Sequence, residues 1–410
     1  MKTNDIVVIG AGAAGLMAAR FAALEAPEGV TVHLVESTPD GGRKILISGG
    51  GRCNVLPGTF RPERYVTDSS PNLLRRMLRA WPLEEQREFF TNELGLELQL
   101  EPETGKLFPV SGKARDVRDA LVAAARKAGC QMHFGVRVTA IEPRWHVHLA
   151  DGRVLDAARV IVATGGLSVP ATGSDGAGLR WVEALGHTVH PTYPALTPLT
   201  LSPPVHADLA GVSLPVTLRA PGARPRFETH DGFLFTHRGY SGPSVLDASH
   251  LAIRSRTAGA HQGLEVQWTE QGQEDWNERL QSAGGGTVGG VLSDALPNRL
   301  AHRLAEDAGV AWDQPLARLP REQRLALVRA LTAWPVPWSG DEGYKKAEVT
   351  GGGVALSEVD PLTLESRIQP GLHLCGEVLD AFGPIGGHNF LWAWTTGRGA
   401  GLGAARALAE

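Results

Sequence analysis

Cysteine is scarce in this chain: three residues, Cys53, Cys130 and Cys375, among 410, with no Cys-x-x-Cys spacing. That argues against a disulfide-stapled scaffold and against a structural metal, so no metal is expected, and it fits a reducing cytoplasm. Long apolar runs are missing as well. None reaches the roughly 18 residues that would span a bilayer. The first apolar strand begins after five residues, which leaves no charged and apolar stretch for a signal peptide. Positive charge is not in excess either. The net charge is −4, with no basic stripe, so general binding to nucleic-acid phosphates is not expected. Arg75, Arg76 and Arg79 read as the wet face of a helix. These absences leave a soluble, cytoplasmic protein with a small-molecule substrate and no membrane partner. They say nothing about oligomeric state.

What is present begins at residue 6. Ile6-Val7-Val8-Ile9 runs into Gly10-x-Gly12-x-x-Gly15, and an Ala-rich stretch of helical composition follows from Leu16 to Leu24. A second apolar run, Thr31 to Val35, ends at Glu36, 21 residues after Gly15. Each part has a job in holding a dinucleotide. Gly10 permits the tight turn, Gly12 lets the backbone approach a pyrophosphate, and Gly15 lets the helix pack close to the sheet. The helix start offers free N–H groups to the anion, and an acid at the end of the second strand accepts hydrogen bonds from ribose hydroxyls.

Length predicts two or three domains, and 42% hydrophobic with 20% charged residues is ordinary for a globular protein. Helices are expected at Asn72–Trp81, Leu83–Leu94 and Ala114–Lys127, the last carrying Val117, Leu121 and Ala124 on one face. Strands are expected at Gln131–Phe134 and Arg137–Ile141. Asp151-Gly152 signals a hairpin between Trp145–Ala150 and Arg153–Asp156, and Arg159–Thr164 reads as a buried strand. From Pro191 to about Gln271 short alternating runs, such as Leu214–Arg219 and Gly232–Phe235, suggest an antiparallel sheet or barrel. The chain then turns helical, with Val291–Asp307 and Glu322–Ala333 as candidates. Leu372–Gly376 reads as a last buried strand and Phe390–Ala409 as a closing helix.

The choice of dinucleotide rests on two later segments. A nicotinamide enzyme needs little beyond one Rossmann unit and a catalytic domain. An FAD protein of the glutathione-reductase type uses three dispersed pieces, and all three occur here: Gly10–Gly15, Ala163-Thr164-Gly165-Gly166, and Cys375-Gly376-Glu377 before a helix. Glu377 can hold ribityl hydroxyls. The helix opening near Gly386-Gly387-His388-Asn389 aims N–H groups at the flavin N1/O2 edge, where charge collects on reduction. The cofactor expected is FAD.

The run Gly42-Arg43-Lys44-Ile45-Leu46-Ile47-Ser48-Gly49-Gly50-Gly51-Arg52-Cys53-Asn54 is far more specific than the fingerprint. With Gly165-Gly166-Leu167-Ser168, Phe235-Thr236-His237, Ser241-Gly242-Pro243, Glu348-Val349-Thr350 and Gly376-Glu377-Val378-Leu379-Asp380, it resembles the BaiN/YhiN-like FAD-dependent flavoproteins, also labelled the aminoacetone-oxidase-type FAD-binding family. The resemblance covers essentially the whole chain. It implies an α/β fold in which a glutathione-reductase-type, Rossmann-like FAD domain (1–190 and 351–410) is interrupted by a β-barrel-like domain (191–273 and 336–350), itself holding a helical insert (274–335). The sequence departs from the family at His388, where Tyr is common, and at Cys375, where Ala is.

The same resemblance implies site roles. The pyrophosphate goes to Gly12, Ala14 and Gly15, within the stretch that includes Gly10 and Ala13. Arg43 and Lys44 lie near phosphate or ribityl oxygens, Glu36 takes the adenosine ribose, and Val138 meets the adenine through its backbone. Glu377 and Asn389 face the ribityl chain and isoalloxazine. Arg52, Asn54, Thr164, Gly165, Gly376, Gly387 and His388 complete the expected cofactor contacts. No catalytic residue is fixed; Arg52, His237, Tyr240 and His388 are weak candidates, and Cys53 reads as a small buried residue. The activity implied is hydride exchange between flavin N5 and a small or medium organic substrate, with C=C reduction suggested by a family member associated with bile-acid enones. With no second dinucleotide motif, NAD(P)H would visit as a transient reductant. The alternatives are an FAD-dependent tRNA-modifying enzyme and a flavin-bound sensor without turnover.

Overall fold

The computed structural model describes residues 4–282 and 286–409. The chain divides into two compact units, Met1–Tyr193 with Glu348–Glu410, and Pro194–Ala347. The first is built on a five-stranded sheet. Strand β1 (Ile6–Ile9) lies between β2 (Val32–Glu36) and β4 (Arg159–Val162), flanked in turn by β3 (Gln131–Phe134) and β5 (Leu372–Leu374). Every pairing is parallel. Ile9 stands opposite both Val35 and Val162, so the carboxyl ends of β1, β2 and β4 form one edge. In parallel sheets ligands bind outside that edge. All four residues of β1 are buried, as a strand covered on both faces requires.

Helix α1 (Ala13–Glu25) follows β1, α2 (Ala114–Lys127) precedes β3, and α3 (His388–Arg406) follows β5. The small residues of α1 and α3 let the two backbones touch. A Cβ on Gly397 would fall 2.4 Å from the Ala14 carbonyl oxygen, and one on Gly401 would fall 2.4 Å from that of Ala18. This explains the Ala- and Gly-rich sequence of both helices.

Some elements depart from expectation, for local reasons. Leu83–Leu94 is α-helical only to Glu88 and continues as a π-helical turn, Phe89–Glu93. The wider turn buries both Phe89 and Phe90. The single helix expected over Val291–Asp307 is two, Val288–Ser293 and Asn298–Asp307. Pro297 lies between them, where it lacks an N–H and biases Leu296 away from helical geometry.

The second unit carries a seven-stranded antiparallel sheet, in the order Trp334–Pro335, Glu265–Gln267, Ser213–Ala220, Phe227–Thr236, Gly239–Ser241, Leu199–Thr200, Gly340–Asp341. Phe233, Phe235, Tyr240, Trp268 and Trp334 pack its core. Within the stretch whose alternation suggested only strands lies a helix, Pro243–Thr257, opened by Pro in its first turn. Among the described residues no helix is long and apolar enough to cross a membrane.

Candidate cofactor-binding site

The three fingerprint glycines do different work. Gly10 has φ +99°, and a Cβ there would sit 2.6 Å from the Ala163 carbonyl oxygen; one on Gly15 would sit 1.8 Å from that of Gly10. Both are packing requirements. Gly12 has an ordinary extended backbone, φ −76° and ψ −169°, and a Cβ there would meet nothing within 4 Å. Its missing side chain leaves space beside the start of α1, a helix with no side-chain N-cap and no acid in its first turn. The opening amides of α1 are therefore left to an incoming anion.

That space belongs to a cavity of about 710 Å³ along the carboxyl edge of the sheet, within the range of cofactor sites. At one end Glu36 is held rigidly. The Ala11 amide donates to Oε2 at 2.8 Å, the Thr38 amide to Oε1 at 2.7 Å, and the Ser37 hydroxyl to Oε1 at 3.2 Å. The Thr38 hydroxyl, in the same wall, is buried with no hydrogen-bond partner among the described residues. Val138 is buried and lines this end too. An uncapped helix, an open Gly12, a fixed acid and an unmatched buried hydroxyl suit a dinucleotide.

Midway along the cavity, Lys44 donates to the Ser168 hydroxyl (2.6 Å) and to Glu377 Oε2 (2.7 Å). Ser168 in turn donates to Glu377 Oε1 at 2.5 Å, which also accepts the Thr350 amide at 2.9 Å. Burial alone would raise the Glu377 carboxyl. The Lys44 charge and the hydrogen bonds from Lys44, Ser168 and Thr350 outweigh it and hold the group below its ordinary range. The neighbouring Arg43 is committed to Asp40 at 3.0 Å. Asp40 is held low chiefly by that hydrogen bond.

At the far end, Gly387 caps α3 in left-handed geometry, φ +92°, without a side-chain cap. A Cβ on Gly387 would lie 2.5 Å from the Leu56 carbonyl carbon. The Asn389 carboxamide is spent on the Gly383 backbone, accepting its N–H at 2.9 Å and donating to its carbonyl at 3.0 Å. From α3, Trp392 donates to the Gly376 carbonyl at 3.0 Å, and Thr396 accepts the Gly376 amide at 2.9 Å.

All residues expected to hold the cofactor line this cavity except Gly15, Arg52 and His388. Gly15 is packed beneath Gly10. Arg52 is drawn away to Glu101 (2.8 Å) and over the Phe108 ring (4.1 Å). The His388 ring is buried against Tyr65, whose hydroxyl donates to the His388 carbonyl at 2.7 Å. Burial, with Arg64 and Arg61 nearby, pushes this imidazole down to about 3, so it is neutral and no proton donor at neutral pH. Tyr240 is fully buried in the second unit's aromatic core, sharing a 2.7 Å hydrogen bond with His206 Nδ1. His237 lies exposed in the turn between two strands of that unit. Cys53 is buried, with its thiol pushed up to about 12 by burial against an opposing Ser48 hydrogen bond, so it stays protonated. Sequence reasoning missed Thr38, Ser168 and Thr350 as site residues. The signal for the last two was a half-buried acid, Glu377, which has to find donors.

A Ser–His–Glu array also occurs in the first unit, with the Ser366 hydroxyl 2.9 Å from His187 Nε2 and His187 Nδ1 3.0 Å from Glu358. It is a strut. Ser366 and His187 are buried, and the Ser366 oxygen already accepts the Ile368 and Gln369 amides at 3.0 and 2.7 Å, which disables it as a nucleophile.

Residues 4–403 match the family described as HI0933-like protein Rossmann domain. A relative from Escherichia coli (strain K12), named ribosomal RNA dihydrouridine synthase, is 34% identical over 97% of this chain and 96% of its own length. Another from Clostridium scindens, named 3-dehydro-bile acid delta(4,6)-reductase, is 32% identical over 98% and 99%. Among solved structures, the open conformation of a flavocytochrome c3 fumarate reductase is similar with TM-score 0.51 at 16% identity, over 100% of this chain and 79% of that one. A 3-ketosteroid delta1-dehydrogenase from Sterolibacterium denitrificans is similar with TM-score 0.51 at 13% identity, over 99% and 100%. At these identities the structural likeness is one of fold.

Proposed function

The chain belongs to the HI0933-like Rossmann family of FAD-dependent oxidoreductases, and from that premise we propose that it reduces a carbon–carbon double bond conjugated to a carbonyl. The observation that carries the reading is the uncapped start of α1 beside the open Gly12, at the carboxyl edge of a parallel sheet. The α1 amides take the pyrophosphate, Glu36 and Thr38 the adenosine ribose, and Val138 the adenine. Lys44 and Glu377 would border the ribityl chain, and the opening amides of α3 would stabilise negative charge on the isoalloxazine. Bound FAD supplies the hydride.

Both kinds of relative are named for saturating an activated double bond. A Δ4,6 bile-acid reductase acts on an enone, and dihydrouridine is uridine with its carbonyl-conjugated double bond reduced. A small enone fits the net charge of −4 better than a long polyanion does. The RNA reading is kept because relatives at 34% and 31% identity carry that name, and it concerns ribosomal RNA where the sequence suggested transfer RNA. Retained nucleic acid in the purified protein, seen as ultraviolet absorbance beyond the flavin's share, would favour it. The hydride reaches the flavin from NAD(P)H visiting transiently. Anaerobic NADH or NADPH should bleach the yellow protein, and a 3-oxo-Δ4 steroid acid should restore the colour. A flavin bleached by dithionite alone would remove the NAD(P)H-linked version.

Lys44 tests the middle of the site. In Lys44→Met the Glu377 carboxylate loses its cation while staying buried, and its pKa should rise. Lys44 is partly exposed, so a loss of about 1–2 kcal/mol is expected, with roughly tenfold weaker FAD retention. Thermal unfolding and flavin titration measure both. Unchanged values would show that Lys44 is a bystander.

A further inference from the structure

We propose that Arg61 and Lys106 form an anion-binding rim at the Gly386–Gly387 end of the cavity, which holds a phosphate or carboxylate group of the substrate. The inference rests on the cavity being the FAD site. Three observations place the rim. The Arg61–Tyr65 segment is a tight turn, closed by the Arg64 amide on the Arg61 carbonyl at 3.1 Å and the Tyr65 amide on the Pro62 carbonyl at 3.4 Å. The Tyr65 hydroxyl pins this turn to the His388 carbonyl at 2.7 Å, so Arg61 is tethered to the start of α3. On the other side, the Lys106 side chain lies over Gly386, whose Cβ would be 3.3 Å from Lys106 Cε; Gly386 and Gly387 line the cavity.

Neither Arg61 nor Lys106 makes a side-chain hydrogen bond or ion pair among the described residues. Glu101 takes its hydrogen bonds from Arg52 (2.8 Å) and Thr104 (2.7 Å), and Lys106 acts on its carboxyl only through charge. A guanidinium and an ammonium with no hydrogen-bonded or ion-paired side chain among the described residues, beside the end of the cavity assigned to the flavin ring, suit an anionic oxygen on the molecule being reduced. In a chain of net charge −4, they would also set which end of an anionic substrate enters first.

The test uses the yellow holoprotein and two matched pairs of probes: a 3-oxo-Δ4 steroid acid with its methyl ester, and a short uridine-containing oligoribonucleotide with uridine. Binding is read from the shift of the flavin absorption band, which needs no turnover. In at least one pair the anion should bind about tenfold tighter than its neutral counterpart at low ionic strength, and the preference should fade with salt. Which pair shows it identifies the source of the anion. In Arg61→Gln with Lys106→Gln the ratio should fall towards one, with affinity for the neutral probe unchanged. A yellow protein with no charge preference in either pair, or a preference that survives the double substitution, overturns the rim and leaves the cofactor reading standing. A colourless protein overturns both.

Discussion

Gly12→Asp is expected to give a folded, colourless protein. The backbone at Gly12 is one that any residue adopts, and a Cβ there meets nothing, so the substitution creates no clash. Aspartate is among the best N-caps, and its charge complements the helix dipole, so the cofactor-free fold should gain about 0.5–1 kcal/mol. The new carboxylate would occupy the place proposed for the pyrophosphate and use the same amides. At about 4 Å and an effective dielectric near 20, repulsion between two unit charges is about 4 kcal/mol, or roughly a thousandfold in affinity. Visible absorbance and a thermal melt of the same sample decide it. Retained flavin would mean that the α1 amides do not carry the pyrophosphate. Gly15→Ala is the contrast, since a Cβ 1.8 Å from the Gly10 oxygen should prevent the fold itself.

The second large effect is loss of stability in mild acid. Burial pushes His250 down to about 4, His373 to about 4 and His388 to about 3, against about 6.5 in the unfolded chain. Below pH 6.5 the unfolded state takes up protons that the folded state refuses, so stability rises with pH and is lost as pH falls from 6.5 towards 4. Each histidine costs about 2 kcal/mol between pH 7 and pH 5. Asp380, which burial raises, works in the opposite sense. The melting temperature at constant ionic strength should therefore fall steeply between pH 7 and pH 5. A flat profile would mean that these imidazoles find protons or water in the folded state.

The sheet and its fingerprint were legible because their causes are local. The apolar runs of β1, β2 and β4 are buried strands, Gly10 and Gly15 have no room for a side chain, and α2 has the residues its periodicity gives it. Elements set by distant contacts were harder to read. The helix Pro243–Thr257 hides among strand-like neighbours, and the π-helical turn at Phe89–Glu93 follows from the burial of two adjacent rings. The same division runs through the site. Glu36, at a strand end, is readable from spacing alone. The Glu377 network joins Lys44, Ser168 and Thr350 from four separate stretches of chain, and no local pattern announces such a meeting. For Tyr240 and Arg52 residue type says nothing of access: one is enclosed by aromatic rings, and the other is drawn to a nearby carboxylate.

The contact of α1 with α3 bears on how the protein is made. The helix that opens the site leaves the ribosome more than three hundred residues before the helix that packs against its backbone. Until then the small-residue face of α1 has no cover, and the cradle beside Gly376 does not exist. Cofactor capture thus waits until α3 has been made, and a chain stalled or shortened before it would remain an empty, aggregation-prone half of a binding domain.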